Sequence, residues 1–118
     1  MANTFTGACQ FNWNNGVVVA NGASTYGLTM TGNQSIQNIQ NVGTVAESIE
    51  LGDVVPGMIW FQNLDATNYV DIGTEATALE VSFKLAAGQG VLVPTSNATW
   101  HAKANTAAVD LLVIACDA

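Results

Sequence analysis

The residues best suited to chemistry are three oxygen-bearing side chains that follow Asn63. Asp65, Asn68 and Asp71 are spaced three apart, and carboxylate and amide oxygens are the ligands that calcium prefers. The spacing differs from that of an EF-hand loop, which uses alternate positions. Asp and Asn also hydrogen-bond to their own backbone in Asx turns. We therefore expect a turn here rather than a calcium site, and the sequence predicts no metal and no cofactor.

Residues for nucleophilic catalysis or zinc binding are scarce. His101 is the single histidine, and it is not accompanied by the positioned nucleophile and orienting acid that a triad needs. Zinc takes three or four Cys or His ligands, whereas Cys9 and Cys116 lie near opposite ends of the chain. We expect a surface histidine and two reduced, buried thiols. A bridge between neighbouring first and last strands is the alternative for the thiols, and the chain is predicted not to be an enzyme.

Tryptophan offers a different chemistry. An aromatic ring can stack on a sugar, and two carboxylates beside a groove would make a glycosidase. A glycan-binding module is therefore an alternative function, with Trp60, Trp100 or His101 exposed to the sugar. Tryptophan is also a frequent anchor of protein interfaces, and we expect the tryptophans to serve as core or interface residues.

Charge is sparse and unevenly placed along the chain. Of the 118 residues, 49% are hydrophobic and 9% are charged, and the formal net charge is −7. Two lysines cannot neutralise a row of phosphates, which excludes a nucleic-acid binder, and an anionic membrane surface would repel the chain. Residues 1–46 carry no charged side chain, and the first is Glu47. Because interface cores are depleted of charge, the uncharged third predicts an obligate oligomer or an assembly subunit.

Short strands must carry these residues, since no long segment has the period of a helix. Asn15-Gly16 predicts a type I′ hairpin turn between strands at 4–13 and 17–20, and Asn21-Gly22 predicts a further turn before a strand at 26–31. Residues 109–116 are apolar at nearly every position, as in a strand buried on two sides. We predict a single all-β domain over residues 1–118, a jelly roll or β-sandwich of about eight or nine antiparallel strands. Residues 1–15 are predicted to form an assembly arm.

Several short motifs lie between residues 43 and 116. They are Gly43-Thr44, Leu51-Gly52-Asp53-Val54, Gly57 leading through Trp60 to Asn63-Leu64-Asp65, the run from Thr67 to Gly73, Phe83-Lys84-Leu85 and the turn from Ala87 to Gly90. Together they resemble a family of small structural proteins encoded among the virion genes of tailed bacteriophages. Ala87 stands where a proline is expected in the later turn, and the first 42 residues match nothing in that family.

The resemblance implies an all-β component of a virion. Such proteins act as capsid decoration (cement) subunits, commonly trimeric, or as parts of the head-tail junction and tail. The leading prediction is a decoration protein that binds and stabilises the assembled head. The alternatives are a head-tail connector or tail component, or a glycan-binding module that attaches the phage to host polysaccharide. The predicted partners are the major capsid protein and other copies of the chain in a homotrimer, with no nucleic acid and no membrane. The protein is expected in the virion, after synthesis in the host bacterial cytoplasm. The predicted interface residues are Phe5, Phe11, Trp13, Trp60 and Trp100.

Overall fold

A computed structural model describes residues 3–14, 16–17, 19–30, 34–74 and 81–117 of the chain. These residues form ten β-strands joined by turns, which confirms the predicted all-β fold. None of the described segments is a helix of the length and apolarity that a membrane span requires. The strands are β1 (Asn3–Asn14), β2 (Val19–Met30), β3 (Ser35–Val42), β4 (Glu47–Ser48), β5 (Pro56–Asn63), β6 (Val70–Gly73), β7 (Val81–Leu85), β8 (Gly90–Pro94), β9 (His101–Ala104) and β10 (Val109–Asp117).

Eight of the strands form two four-stranded antiparallel sheets. One sheet has the order β3-β10-β5-β8 and the other the order β4-β9-β6-β7; we call them the β10 sheet and the β9 sheet. The pairs are nested, because β3 pairs with β10, β4 with β9, β5 with β8 and β6 with β7. A long antiparallel ribbon rolled up in this way is a jelly roll. The predicted jelly roll or β-sandwich is confirmed.

The core lies between the two sheets and is filled from alternate positions of each strand. Phe61 is fully buried, and its ring centroid lies 5.8 Å from that of Trp100 and 5.9 Å from that of Phe83. Tilted aromatic pairs at this separation contribute about 0.5–1.5 kcal/mol beyond their burial. The aliphatic residues around this cluster are Val42, Ile59, Val70, Ile72, Leu85, Val109, Leu111 and Val113.

The other two strands, β1 and β2, form a separate hairpin. Their residues pair in register from Asn3 with Met30 to Asn14 with Val19. Gly16 in the connecting loop has φ of 86°, a conformation that favours glycine, which confirms the hairpin turn; Asn15 lies outside the described residues. The predicted turn at Asn21-Gly22 is wrong, because both residues lie within β2 and pair with β1. One continuous ladder replaces the two short strands that the local turn signal predicted.

Candidate functional site

Asp65 is the centre of a tight turn. Its Oδ2 accepts hydrogen bonds from the backbone N–H groups of Thr67, at 2.9 Å, and Asn68, at 2.6 Å. The bond from Asn68 and then that from Thr67 hold the pKa of the Asp65 carboxyl below its usual value, because both stabilise the charged form. The predicted Asx turn is confirmed. Among the described residues, no three metal-ligating side chains are grouped together.

His101 is 8% exposed, so the prediction of a surface histidine is wrong. It sits within the β9 sheet, opposite Ser48 of β4 and Gly73 of β6. Its Nε2 lies 3.4 Å from Oγ of Ser48, and its Nδ1 is buried without a hydrogen-bond partner in the described part of the chain. Since a triad needs an acid bonded to that Nδ1, the described residues do not complete one around Ser48 and His101.

Trp100 is a core residue, although the sequence analysis placed it among the interface residues. It is 7% exposed, and its indole N–H donates to the carbonyl oxygen of Asn97 at 2.9 Å. Little of its ring is available to a sugar or to another protein.

Both cysteines are free thiols. They are not buried as expected, because Cys9 is exposed and Cys116 is half-buried. The alternative of a bridge required the first and last strands to be neighbours, but β1 pairs with β2 and β10 lies between β3 and β5. The two thiols instead mark two separate surfaces, the β1–β2 hairpin and the outer side of the β10 sheet.

The β1–β2 hairpin, which we call the arm, is exposed on both faces. On one face Thr6, Ala8 and Gln10 of β1 are exposed, and on the other Cys9 of β1 and Ser24 of β2 are exposed. The sandwich therefore covers neither face at these positions. A two-stranded hairpin by itself is at best marginally stable in water, so the arm needs a further layer of protein to hold it.

The register sorts the residue types of the arm between its two faces. Side chains alternate along a strand, and directly opposite residues share a face. Phe5, Phe11 and Trp13 all occupy odd-numbered positions of β1, whereas the even positions from 4 to 14 hold Thr, Ala, Gln and Asn. We call the odd-numbered side the aromatic face; Leu28 and Tyr26 of β2 share it by register. The three predicted interface residues of β1 thus fall on one face, and their side chains lie outside the described residues.

The outer face of the β10 sheet has five large apolar side chains in two neighbouring rows, which also contain Gln62 and Gln37. In one row of the sheet, Leu112 pairs with Ile39 of β3; in the next, Ile114 pairs with Trp60 of β5, which pairs in turn with Leu92 of β8. Ile39 is 57% exposed and the other four are half-buried. We call these five residues the apolar outer face. The prediction that β10 is buried on two sides is wrong, because its inner positions are buried whereas Leu112 and Ile114 on the outer side are half-buried and Asp110 is exposed.

Trp60, the remaining predicted interface residue, is half-buried on this outer face. Its ring covers Gly90 of β8 so closely that a Cβ at Gly90 would come within 2.4 Å of the ring carbon Cζ2. The indole N–H donates to Oε1 of Gln62 at 3.4 Å. The absence of a side chain at Gly90 therefore lets the indole extend the apolar outer face towards β8.

The outer face of the β9 sheet has the opposite character. Asp71 of β6 pairs with Lys84 of β7 on one side and with Lys103 of β9 on the other. Opposite charges on neighbouring strands suit a face in water. On the apolar outer face the nearest acid is Asp110, at one end, where its Oδ1 accepts a hydrogen bond from the Asn41 amide at 3.0 Å. The two outer faces of the sandwich thus differ in what they can contact.

The start of β3 is hydrogen-bonded to the end of β10. The backbone N–H of Asp117 donates to the carbonyl oxygen of Gln34 at 2.9 Å, and the Asp117 carboxylate accepts from the N–H groups of Gln34 and Val55. One acid at the end of β10 therefore holds the backbone at Gln34, before β3, and at Val55, before β5.

The chain matches no protein-family model, no curated protein and no solved structure. The arm and the apolar outer face are accordingly assigned on physical grounds. The sequence analysis identified the aromatic residues of β1 as interface residues because residues 1–46 have no charged side chain. It missed the apolar outer face, for which the signal was the apolar residues at both parities of β10, Leu112 and Ile114 among them.

Proposed function

We propose that this protein is a structural protein of a bacteriophage virion, a capsid decoration protein that binds the assembled head and stabilises it. The observation that supports this best is the arm, an uncharged hairpin whose described side chains are exposed on both faces. The arm has no charged residue and has phenylalanine and tryptophan in its sequence. This composition matches that of interface cores, which are depleted of charge and enriched in aromatic residues. The jelly roll is shared by viral capsid proteins and by unrelated proteins, so the fold agrees with the proposal without deciding it.

The proposed mechanism is stabilisation by mass action. A subunit that binds only the expanded lattice favours that lattice by a free energy that grows with its concentration over Kd. Many copies, each with a modest contact, then hold the shell against the pressure of the packaged DNA. All nine acidic residues lie from Glu47 onwards. Their charge keeps unbound subunits soluble and away from the genome, while the arm remains free of repulsion.

The test is the binding of purified protein to undecorated heads of the phage that encodes it. We expect wild-type protein to saturate the heads at hundreds of copies and to raise the temperature at which they lose DNA. Phe11→Asp places a charge on the aromatic face and is expected to weaken binding by about tenfold or more, as expected for a charge in an interface core. Asn12→Asp adds the same charge on the other face and is the matched control.

Three results would overturn the proposal. Wild-type protein that does not bind heads would remove the decoration role. Saturation at one ring of copies per head would replace it with a head-tail connector. Equal binding by wild type, Phe11→Asp and Asn12→Asp would show that the arm is not the assembly element.

A further inference from the structure

We propose that two copies of this chain associate through β1: the free edge of β1 in one copy pairs antiparallel with the same edge in the other. The two hairpins then form one four-stranded sheet with the order β2-β1-β1-β2. The contact is made by backbone N–H and C=O groups, and it goes beyond the proposed function without resting on it. A contact about a two-fold axis gives a dimer, in place of the homotrimer that the sequence analysis predicted.

Each strand of the arm has one edge without a partner. β1 and β2 form a sheet of two strands, so β1 has β2 on one side and, among the described residues, no strand on the other. Alternate N–H and C=O groups of β1 therefore point away from the hairpin. Because two strands alone are at best marginally stable in water and three or more are needed for independent stability, the arm gains stability from a strand added at this edge.

The arm lacks the common features that keep a strand edge from pairing with other strands. Such features are a charged side chain, a proline, a β-bulge or a very short strand. Residues 3–30 include no charged residue and no proline. The 12 pairs between β1 and β2 are continuous, without the shift in register that a bulge causes. β1 is therefore a long template that is open to pairing.

Three of the four edge strands of the sandwich do have such a feature. β4 is two residues long, β7 has Lys84, and β8 ends at Pro94. Each of these features limits the addition of a further strand. The same chain thus protects most edges of its sandwich and neither edge of its arm, which indicates that an edge of the arm is used for pairing.

The lack of protection selects a second copy as the strand that pairs with β1. The hydrogen-bond pattern of an antiparallel pair is the same when it is read from either strand, so a strand edge always fits its own copy. An edge reserved for a different protein must therefore be protected against copies of itself, and charged residues and prolines supply that protection. Because β1 has neither, its own copy is a partner that it does not exclude.

β1 offers the better of the two edges. Residues 20–23 of β2 are Ala, Asn, Gly and Ala, which are residue types depleted in strands. β2 also has two interior glycines, Gly22 and Gly27, whereas β1 has one, Gly7, and an interior glycine weakens a strand. Pairing through β1 places the weaker β2 edges on the outside of the four-stranded sheet, so association stops at two copies.

Symmetry limits the register of the proposed pair. Successive pairs of an antiparallel ladder alternate between hydrogen-bonded and non-hydrogen-bonded types, so a two-fold axis must place one residue of β1 opposite itself. Since β1 runs from Asn3 to Asn14, the two symmetric registers with the most pairs place Ala8 or Cys9 on the axis. Directly opposite residues have Cβ atoms about 5 Å apart and diagonal neighbours about 8 Å apart. Both registers therefore bring the Cys9 residues of the two copies close together.

The first test uses this proximity, because Cys9 is exposed. The chain has two cysteines, so Cys9 is the one thiol of Cys116→Ser, and Cys116 is the one thiol of the control Cys9→Ser. We expect a short bismaleimide to convert Cys116→Ser into a covalent dimer and to leave Cys9→Ser as single chains. No covalent dimer from Cys116→Ser, or an equal amount from both variants, would overturn the proposal.

The second test gives β1 the charge that it lacks. Ala8→Lys places two lysines opposite or diagonal to each other across the axis of the dimer. Ala23→Lys is the matched control, because Ala23 of β2 pairs with Gln10 and so lies on the same face of the arm as Ala8. Both alanines are exposed. The two variants therefore carry the same new charge on one face of the arm and differ in the strand that carries it.

The measurement is mass in solution by light scattering over a dilution series. We expect wild type and Ala23→Lys to dimerise with similar Kd, and Ala8→Lys to dimerise about fivefold more weakly, because like charges on neighbouring strands repel. A wild type that is monomeric or trimeric would overturn the pairing through β1. Equal dimerisation of the three proteins would also overturn it.

These outcomes are separate from those of the head-binding test, because pairing through an edge leaves both faces of the arm uncovered. A dimer joined through β1 that does not bind heads would keep this inference and remove the decoration role. A monomer that binds heads would remove this inference and keep the decoration role.

Discussion

Substitution of Asn63 by Ala is expected to be among the most destabilising single changes in the sandwich. Asn63 ends β5 and is fully buried. Its side-chain amide donates to the carbonyl oxygens of Asn68, at 2.8 Å, and Leu85, at 3.1 Å, and its Oδ1 accepts from the N–H of Asp65 at 2.8 Å. One side chain thus ties the turn after β5 to the end of β7.

The expected cost follows from these three hydrogen bonds. Each contributes a net of about 1 kcal/mol, so Asn63→Ala should lower the free energy of unfolding by about 3 kcal/mol. The substitution also leaves the buried carbonyl of Leu85 without this donor, which adds to the cost. With a urea m-value of about 2 kcal/mol per M, the unfolding midpoint should fall by about 1.5 M.

The assay is urea unfolding at one fixed protein concentration, because any oligomer makes the midpoint depend on concentration. Asn41→Ala is the matched control, since Asn41 is exposed and donates a single side-chain hydrogen bond, to Asp110. We expect the control to shift the free energy of unfolding by less than about 1 kcal/mol. If Asn63→Ala costs no more than Asn41→Ala, the buried amide does not hold the two loops as argued.

Three further changes test other parts of the structure. Gly90→Ala forces the Trp60 ring to move, because the new Cβ would lie 2.4 Å from it; we expect a changed tryptophan fluorescence spectrum, and an unchanged spectrum would contradict the close packing. The lowered pKa of Asp65 means that its carboxylate stabilises the fold above its unfolded pKa of 3.8 and that this stability is lost as pH falls through the lower folded pKa. Asp65→Asn should therefore lower the urea midpoint at pH 7 and flatten its fall towards pH 3, whereas parallel pH profiles would contradict this. Asp117→Ala removes the acceptor of the Val55 N–H, and we expect faster hydrogen exchange at Val55 with the core amides unchanged.

The fold class was predictable because it depends on features that are local in sequence. Glu80 to Leu85 alternates in polarity, and the residues between Asn63 and Asn68 are typical of turns. The exception is Asn21-Gly22, where the turn signal is strong but the pairing of β2 with β1 along its whole length prevails. A ladder of 12 residue pairs outweighs the preference of one dipeptide.

The candidate surfaces were only partly predictable, because the face on which a residue lies depends on strand parity. The run Ile59-Trp60-Phe61 is apolar throughout, so its sequence does not reveal that Trp60 faces outwards while its two neighbours enter the core. The sequence also does not reveal that the neighbours Trp100 and His101 are both buried. Trp100 packs in the core between the sheets, and His101 is covered by its neighbours in the β9 sheet. The absence of charge in the arm, by contrast, is a property of composition, so it can be recognised without knowing which way any side chain points.

The nested pairing of the strands sets the order in which the molecule is completed. β6 and β7 are close in sequence, whereas Gln34 and Asp117, which meet at the edge of β3 and β10, are 83 residues apart. Contacts between distant residues form late, because they close the longest loops. The two strands of the arm make local contacts and can pair early, although the hairpin remains at best marginally stable by itself. The apolar outer face exists only once β10 is in place, because its residues come from four strands that β10 joins, so nothing can bind it before the sandwich has finished folding.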